Sequence, residues 1–183
     1  MVGSVSKIVK ENTLALLLSA VLSIFAGMFL QMNLERMVML PAVLALIPPI
    51  NGMAGNVGSI LGARLGSALH LGIVKPALKK QRALGERMLD SVKSGITSFF
   101  VISVVVGGWA WARGLANPVA FAATFFLTGL ILIPLVILSS TFIAIFSYMR
   151  GLDPDNIVGP LLTSIADILG VLSFLLAQTI VLF

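Results

Sequence analysis

The chain has 183 residues, 58% of them hydrophobic and only 10% charged, with a mean hydropathy of +1.10; this excludes an ordinary soluble domain and makes it an integral membrane protein. It has no cysteine and one histidine, His70, so disulfide scaffolds, thiolate metal centres, cysteine nucleophiles and multi-histidine sites within one chain are excluded. The net charge of +5 reads as topology, not nucleic-acid binding, once the basic residues are located.

Five apolar segments follow one another, at 13–31, 38–72, 94–112, 118–148 and 158–182. Each reaches or exceeds the ~20 residues that a helix needs to cross hydrocarbon. Continuous apolar runs favour helices over a barrel, so the expected fold is all-α, with five transmembrane helices. The first segment follows Lys7 and Lys10 as a signal peptide would. Its apolar run is long, no small-residue cleavage site follows, and it reads as a retained span.

The second segment carries Pro41, Pro48, Pro49 and glycines 52, 55, 58, 62, 66 and 72. Pro48–Pro49 followed by Asn51, Gly52, Gly55 and Asn56 predicts a broken helix that restarts near Asn56. Within it, Gly58, Gly62 and Gly66 recur at four-residue spacing, which lets membrane helices approach closely. A side-chain amide such as that of Asn56 can offer its oxygen to an ion or cap the new helix. Arg64 is expected to snorkel or pair with a carboxylate, and His70 to be a polar interface residue. The basic stretch KPALKKQRALGERMLD at 75–90 has the length of a short amphipathic helix lying against anionic lipid headgroups. In the fourth segment Pro134 predicts a kink.

With the N-terminus in the cytoplasm, the cytoplasmic stretches hold Lys7, Lys10, Lys75, Lys79, Lys80, Arg82, Arg87, Lys93 and Arg150, and the outer loops hold Arg36 and Arg113. This satisfies the positive-inside rule. The expected placement is a multi-pass protein of the cell membrane with its C-terminus outside. The reading is of a single transmembrane domain, 1–183, without a cytosolic sensor domain.

The last segment, DPDNIVGPLLTSIADILG from 153, sets Asp167 deep in an apolar run. A charged acid there costs several kcal/mol by insertion scales, and is a functional candidate by default. Thr163 precedes it by four residues and Gly159 by eight, and Gly170 follows by three, so the four share a helical face. That face offers a carboxylate, a hydroxyl and uncovered backbone, an oxygen set that suits Mg²⁺ or Ca²⁺ more than zinc or copper. Asp153 and Asp155 stand at the start of the segment, where acids cap a helix N-terminus or attract cations. No phosphate-binding G-x-x-x-x-G-K-[ST] loop, G-x-S-x-G elbow or H-E-x-x-H helix occurs, and the chain is not read as an enzyme.

PPINGMAGNVGSILGARLGSALHLG and DPDNIVGPLLTSIADILG together resemble the transmembrane domain of the MgtE magnesium transporters, and more closely the solute carrier family 41. The resemblance implies a Mg²⁺ pathway at the two-fold axis of a homodimer, lined by the second and fifth helices. It places the ion-binding aspartate on Asp167, the entrance acid on Asp153, pore-facing oxygens around Gly159 and Thr163, and the second helix's asparagine on Asn56. Mg²⁺ is the implied substrate. The chain departs from MgtE proteins in having no Mg²⁺-sensing cytosolic domain, and from solute carrier family 41 in having one such transmembrane domain instead of two. Ile60 also stands where the bacterial pattern has glutamine. Without a separate sensor, Mg²⁺ bound to the helices or to the 75–90 stretch becomes the expected regulator. Two alternatives stay open: exchange of Mg²⁺ against Na⁺ or H⁺ at the same site, and a non-transporting membrane subunit in which Asp167 serves packing.

Overall fold

The computed structural model describes residues 5–33 and 44–182. Among them are five helices: α1 (Val5–Met32), α2 (Ile47–His70), α3 (Arg82–Ala112), α4 (Pro118–Met149) and α5 (Pro154–Leu182). Arg36 and Pro41, which enter the sequence reading, lie outside the described residues. By length and apolarity α1, α3, α4 and α5 can each cross a membrane. Of the five expected spans, these four meet that measure. In α2, glycines, Asn51, Asn56 and Arg64 dilute the apolar run. Its buried face lies against protein, where apolarity matters less than fit.

The predicted restart near Asn56 is not what the chain does. α2 runs without interruption from Ile47 through Asn56 to His70, and the turn that precedes it lies at residues 45–46. Pro48 and Pro49 occupy its first turn, where a missing amide costs no intrahelical bond and the fixed φ suits a helix start. The basic stretch differs from expectation as well. Pro76 keeps its first part out of a helix, and the Gln81 side chain staples that loop by accepting from Lys75 N at 2.8 Å and donating to Lys75 O and Ala77 O at 3.0 and 2.9 Å. From Arg82 onward nothing interrupts the helix, so the rest of the stretch becomes the first turns of α3. At 31 residues, α3 is roughly 46 Å long, well beyond the ~30 Å of hydrocarbon. Its basic start therefore stands outside the apolar layer. α4 continues through Pro134 to Met149.

The helix ends follow one pattern. α2, α3 and α4 terminate at Gly72, Gly114 and Gly151, all with positive φ, and the residue after each glycine donates its amide five residues back, as in Ile73 N to Ala68 O at 2.9 Å. This is the closure that satisfies the last carbonyls of a helix. α4 begins at Asn117, whose Oδ1 accepts from Ala120 N at 3.0 Å.

α5 is the centre of the bundle, packed on α1, α2 and α4, with α3 against α4. Water-driven burial does not hold helices together in lipid, so close packing has to. α2 and α5 run antiparallel and meet through glycines. A β-carbon at Gly58 would overlap Leu162 and come within 2.6 Å of Val136 Cγ1; one at Gly62 would lie 2.9 Å from Val158 Cβ; one at Gly66 would overlap Asp155. The backbone laid bare by this approach is used: the buried Ser140 hydroxyl donates to Gly58 O at 2.7 Å. On the other side of α4, Gly129 lets Phe99 of α3 sit against the backbone, with the Phe125 ring 5.3 Å from Phe99.

α1 is peripheral. Its buried residues are Glu11, Ala15 and Ala26, and its outward face carries Leu14, Leu17, Val21, Ile24 and Phe25. Ser19 and Ser23 both bond the Ser164 hydroxyl of α5, at 2.6 and 2.9 Å.

Substituting Gly58→Val should destabilise the protein by about 1–3 kcal/mol through overpacking. Gly108→Ala, where a β-carbon meets nothing within 4 Å, should leave it as stable as before. Thermal denaturation of both variants in detergent, followed by the monodisperse fraction, checks the contrast.

Candidate functional site

On α5 the structure preserves the predicted face. Gly159, Thr163 and Asp167 share one side of an uninterrupted helix, with Thr163 exposed and Gly159 and Asp167 partly exposed. A β-carbon at Gly159 would meet nothing within 4 Å, so its backbone stands uncovered for reasons other than packing inside this chain. Pro160 lies within the helix. Having no amide, it leaves the Asn156 carbonyl without its helical donor, which adds a backbone oxygen near Gly159. The Thr163 hydroxyl donates to Pro160 O at 2.9 Å and keeps its lone pairs outward.

The partner that α2 supplies to Asp167 is Asn51. Its side chain lies near the carboxylate and packs against Gly170, where any β-carbon would collide with it. Asn51 Oδ1 is buried with no hydrogen-bond partner. One turn further along α2, a β-carbon at Gly55 would lie 3.4 Å from Thr163 Cγ2. Asn51 was visible in the sequence only as one residue of the expected break. The signal that marks it is its place on the face that carries Gly55, Gly58 and Gly62. Asn56 is exposed, and the structure does not bring it to Asp167 as it does Asn51. Arg64 is exposed on α2.

Asp153 lies fourteen residues before Asp167, roughly 21 Å away along the helix. Its Oδ1 accepts from Asp155 N at 3.1 Å, the helix-start role that its position suggested. The same end of the bundle holds His70, whose Nδ1 donates to Gly66 O at 2.8 Å and whose ring meets Tyr148 edge-on at 5.3 Å. This agrees with the reading of a polar interface residue. It also holds Glu11, which sequence reasoning passed over. Glu11 is 5% exposed and its Oε2 accepts from Asn156 Nδ2 at 2.9 Å and from Asp153 N at 3.3 Å. The signal for it was present: Glu11, Ala15, Ser19, Leu22 and Ala26 are the inward stripe of an otherwise lipid-facing helix.

Among the described residues no three histidine, aspartate or glutamate side chains gather closely enough to hold a metal. Around Asp167 the chain thus offers one carboxylate with neutral oxygens. That donor set cannot strip a small divalent cation of its waters, but it can hold a hydrated one.

Residues 47–177 match the family model MgtE, described as a divalent cation transporter. Among curated proteins, the chain is 23% identical over 184 aligned residues to solute carrier family 41 member 3 of Rattus norvegicus, covering 91% of this chain and 39% of that protein. It is 24% identical over 139 residues to solute carrier family 41 member 2 of Gallus gallus, covering 69% of this chain and 23% of that protein. The chain thus spans less than two fifths of the length of these relatives. No solved structure matches. The matched region takes in α2, α3 and α4 whole and α5 to beyond Asp167 and Gly170, and the chain belongs to the MgtE family.

Proposed function

We propose that this protein moves Mg²⁺ across the membrane along the face of α5 that carries Gly159, Thr163 and Asp167, with α2 forming the adjoining wall. The observation that carries the reading is the orientation of that face. A carboxylate, a hydroxyl and bare backbone point away from the bundle, in a helix apolar enough to span. Hydrocarbon cannot satisfy those groups, so water or another protein surface must.

A second copy of the chain meets that requirement. Two Asp167 carboxylates facing each other across a two-fold axis repel unless a cation lies between them. Each chain supplies one acid, and the axis makes the pair. Mg²⁺ suits such a site because it keeps most of its waters and needs only one or two carboxylates. Asn51 then supports the Asp167 carboxylate from behind. Asp153 lies at the end of the bundle where the basic loop also lies, and serves as the entrance acid of the pathway. Family membership supports a divalent cation as cargo.

In liposomes holding the purified dimer, Asp167→Asn should lower Mg²⁺ flux at least about tenfold, the loss of 1.4 kcal/mol or more of ion stabilisation. Equal flux in wild type and a still dimeric mutant would overturn the assignment. Asn51→Ala should weaken flux less and raise the Mg²⁺ concentration needed for half-maximal rate. Gly159→Ala should fold as wild type does, because its methyl meets nothing in the chain, yet reduce flux by narrowing the pathway. Imposed Na⁺ or pH gradients across the same liposomes distinguish exchange, in which they drive Mg²⁺, from a channel, in which they do not.

A further inference from the structure

A cavity of about 440 Å³ lies at the end of the bundle remote from Asp167, between the start of α1 and the turn from α4 into α5, with Lys7, Glu11, Tyr148, Gly151 and Asn156 in its wall. Glu11 is almost wholly buried, and its two oxygens are treated differently. Oε2 is engaged by Asn156 Nδ2 and Asp153 N. Oε1 is buried and accepts no hydrogen bond, but Lys7 Nζ lies 3.6 Å away as an ion pair. The same Lys7 ammonium donates to the Gly151 carbonyl at 3.2 Å. A positive charge on a tether is thus held between a carboxylate oxygen and a backbone carbonyl oxygen.

We propose that this cavity is a second divalent-cation site, separate from Asp167, in which the Lys7 ammonium is the resident cation and hydrated Mg²⁺ its competitor. The donors are hard oxygens: Glu11 Oε1, the Gly151 carbonyl and the Asn156 amide oxygen, which is left available because Asn156 uses its nitrogen on Glu11. At ~30 Å³ per water the cavity has room for about fifteen waters, and Mg²⁺ keeps several of its own. The exchange is energetically accessible. The Lys7 side chain is 55% exposed, so its ammonium can swing into water as an ion takes its place beside the buried carboxylate. A divalent ion brings twice the charge to the same buried carboxylate oxygen.

The site also has a mechanical connection. Through Oε2, Glu11 grips the first residues of α5, the helix that carries Asp167 further along. An ion bound at Oε1 changes the charge that Glu11 presents to that helix start, and so gives the concentration of Mg²⁺ at this end of the bundle a direct hold on α5. The proposal does not depend on Asp167 being the transported ion's site.

Mn²⁺ binding to the purified full chain, measured by the loss of its free aqueous electron paramagnetic resonance signal, tests it. In an Asp167→Asn background the cavity site should remain, and Mg²⁺ should compete for it. Adding Glu11→Gln, which retains an acceptor for Asn156, should weaken that binding at least about tenfold, and adding Lys7→Gln should tighten it several-fold by removing the resident charge. Absence of a site in the Asp167→Asn protein, or binding indifferent to Glu11→Gln, would overturn the proposal. Should Glu11→Gln prevent folding, Lys7→Gln decides alone, since unchanged or weaker binding in that variant contradicts competition. A failed pathway reading looks different: full flux in Asp167→Asn with the Mn²⁺ site intact.

Discussion

The approach of two backbones, α2 and α5, is the constraint on which the rest depends. Where Gly58, Gly62 and Gly66 lie against Leu162, Val158 and Asp155, α2 interposes no side chain of its own, and the side chains of α5 seat directly on its backbone and fix the register. That register sets Asn51 beside Gly170 and hence near Asp167, and sets Gly55 against Thr163. In lipid there is little solvent drive to bring helices together. A site assembled from two of them therefore has to be located by shape, and small residues at regular spacing are the means. The same approach exposes carbonyls, and Ser140 shows how a neighbouring helix satisfies one of them.

The polar groups divide into those turned inward and those turned outward. Ser164, Ser140 and Thr128 are buried and find partners within the chain. Thr163, Gly159 and Asp167 stand one helical step round from Ser164 and look away from the bundle. A single helix thus carries a structural serine on one side and the candidate ion face on another. The helices on either side of it have correspondingly separate tasks. α1 covers the serine, and α2 borders the ion face.

Much of this was legible from residues alone. The apolar runs of α1, α3, α4 and α5 located four helices, and the spacing of 159, 163 and 167 identified the polar face, because a helical period leaves no freedom about which positions align. What escaped was what depends on contacts between distant segments. The sequence presents Pro48–Pro49 as a breaker, but two prolines in a first turn start a helix as readily as they end one, and only the fold says which side is helical. Asn51 and Asn56 are equivalent in type, and only the register of α2 on α5 shows that Asn51 is the one beside Gly170. Glu11 looked like an ordinary charge ahead of an apolar run. Its burial follows from α4 bringing the chain back to the end where α1 begins, so that α5 starts beside it, a pairing across 145 residues.

The attachment of α1 to α5 bears on how the chain comes to be assembled. α1 precedes the other four described helices in the chain, yet it is satisfied chiefly by α5, through Ser19 and Ser23 on Ser164 and Glu11 on Asn156. Until α5 emerges, α1 must wait in the bilayer with those hydroxyls and that acid provided for by lipid headgroups, water or the insertion machinery. Closure of the bundle is therefore a late, long-range event, and a chain cut short before α5 would leave α1 with its polar stripe facing lipid.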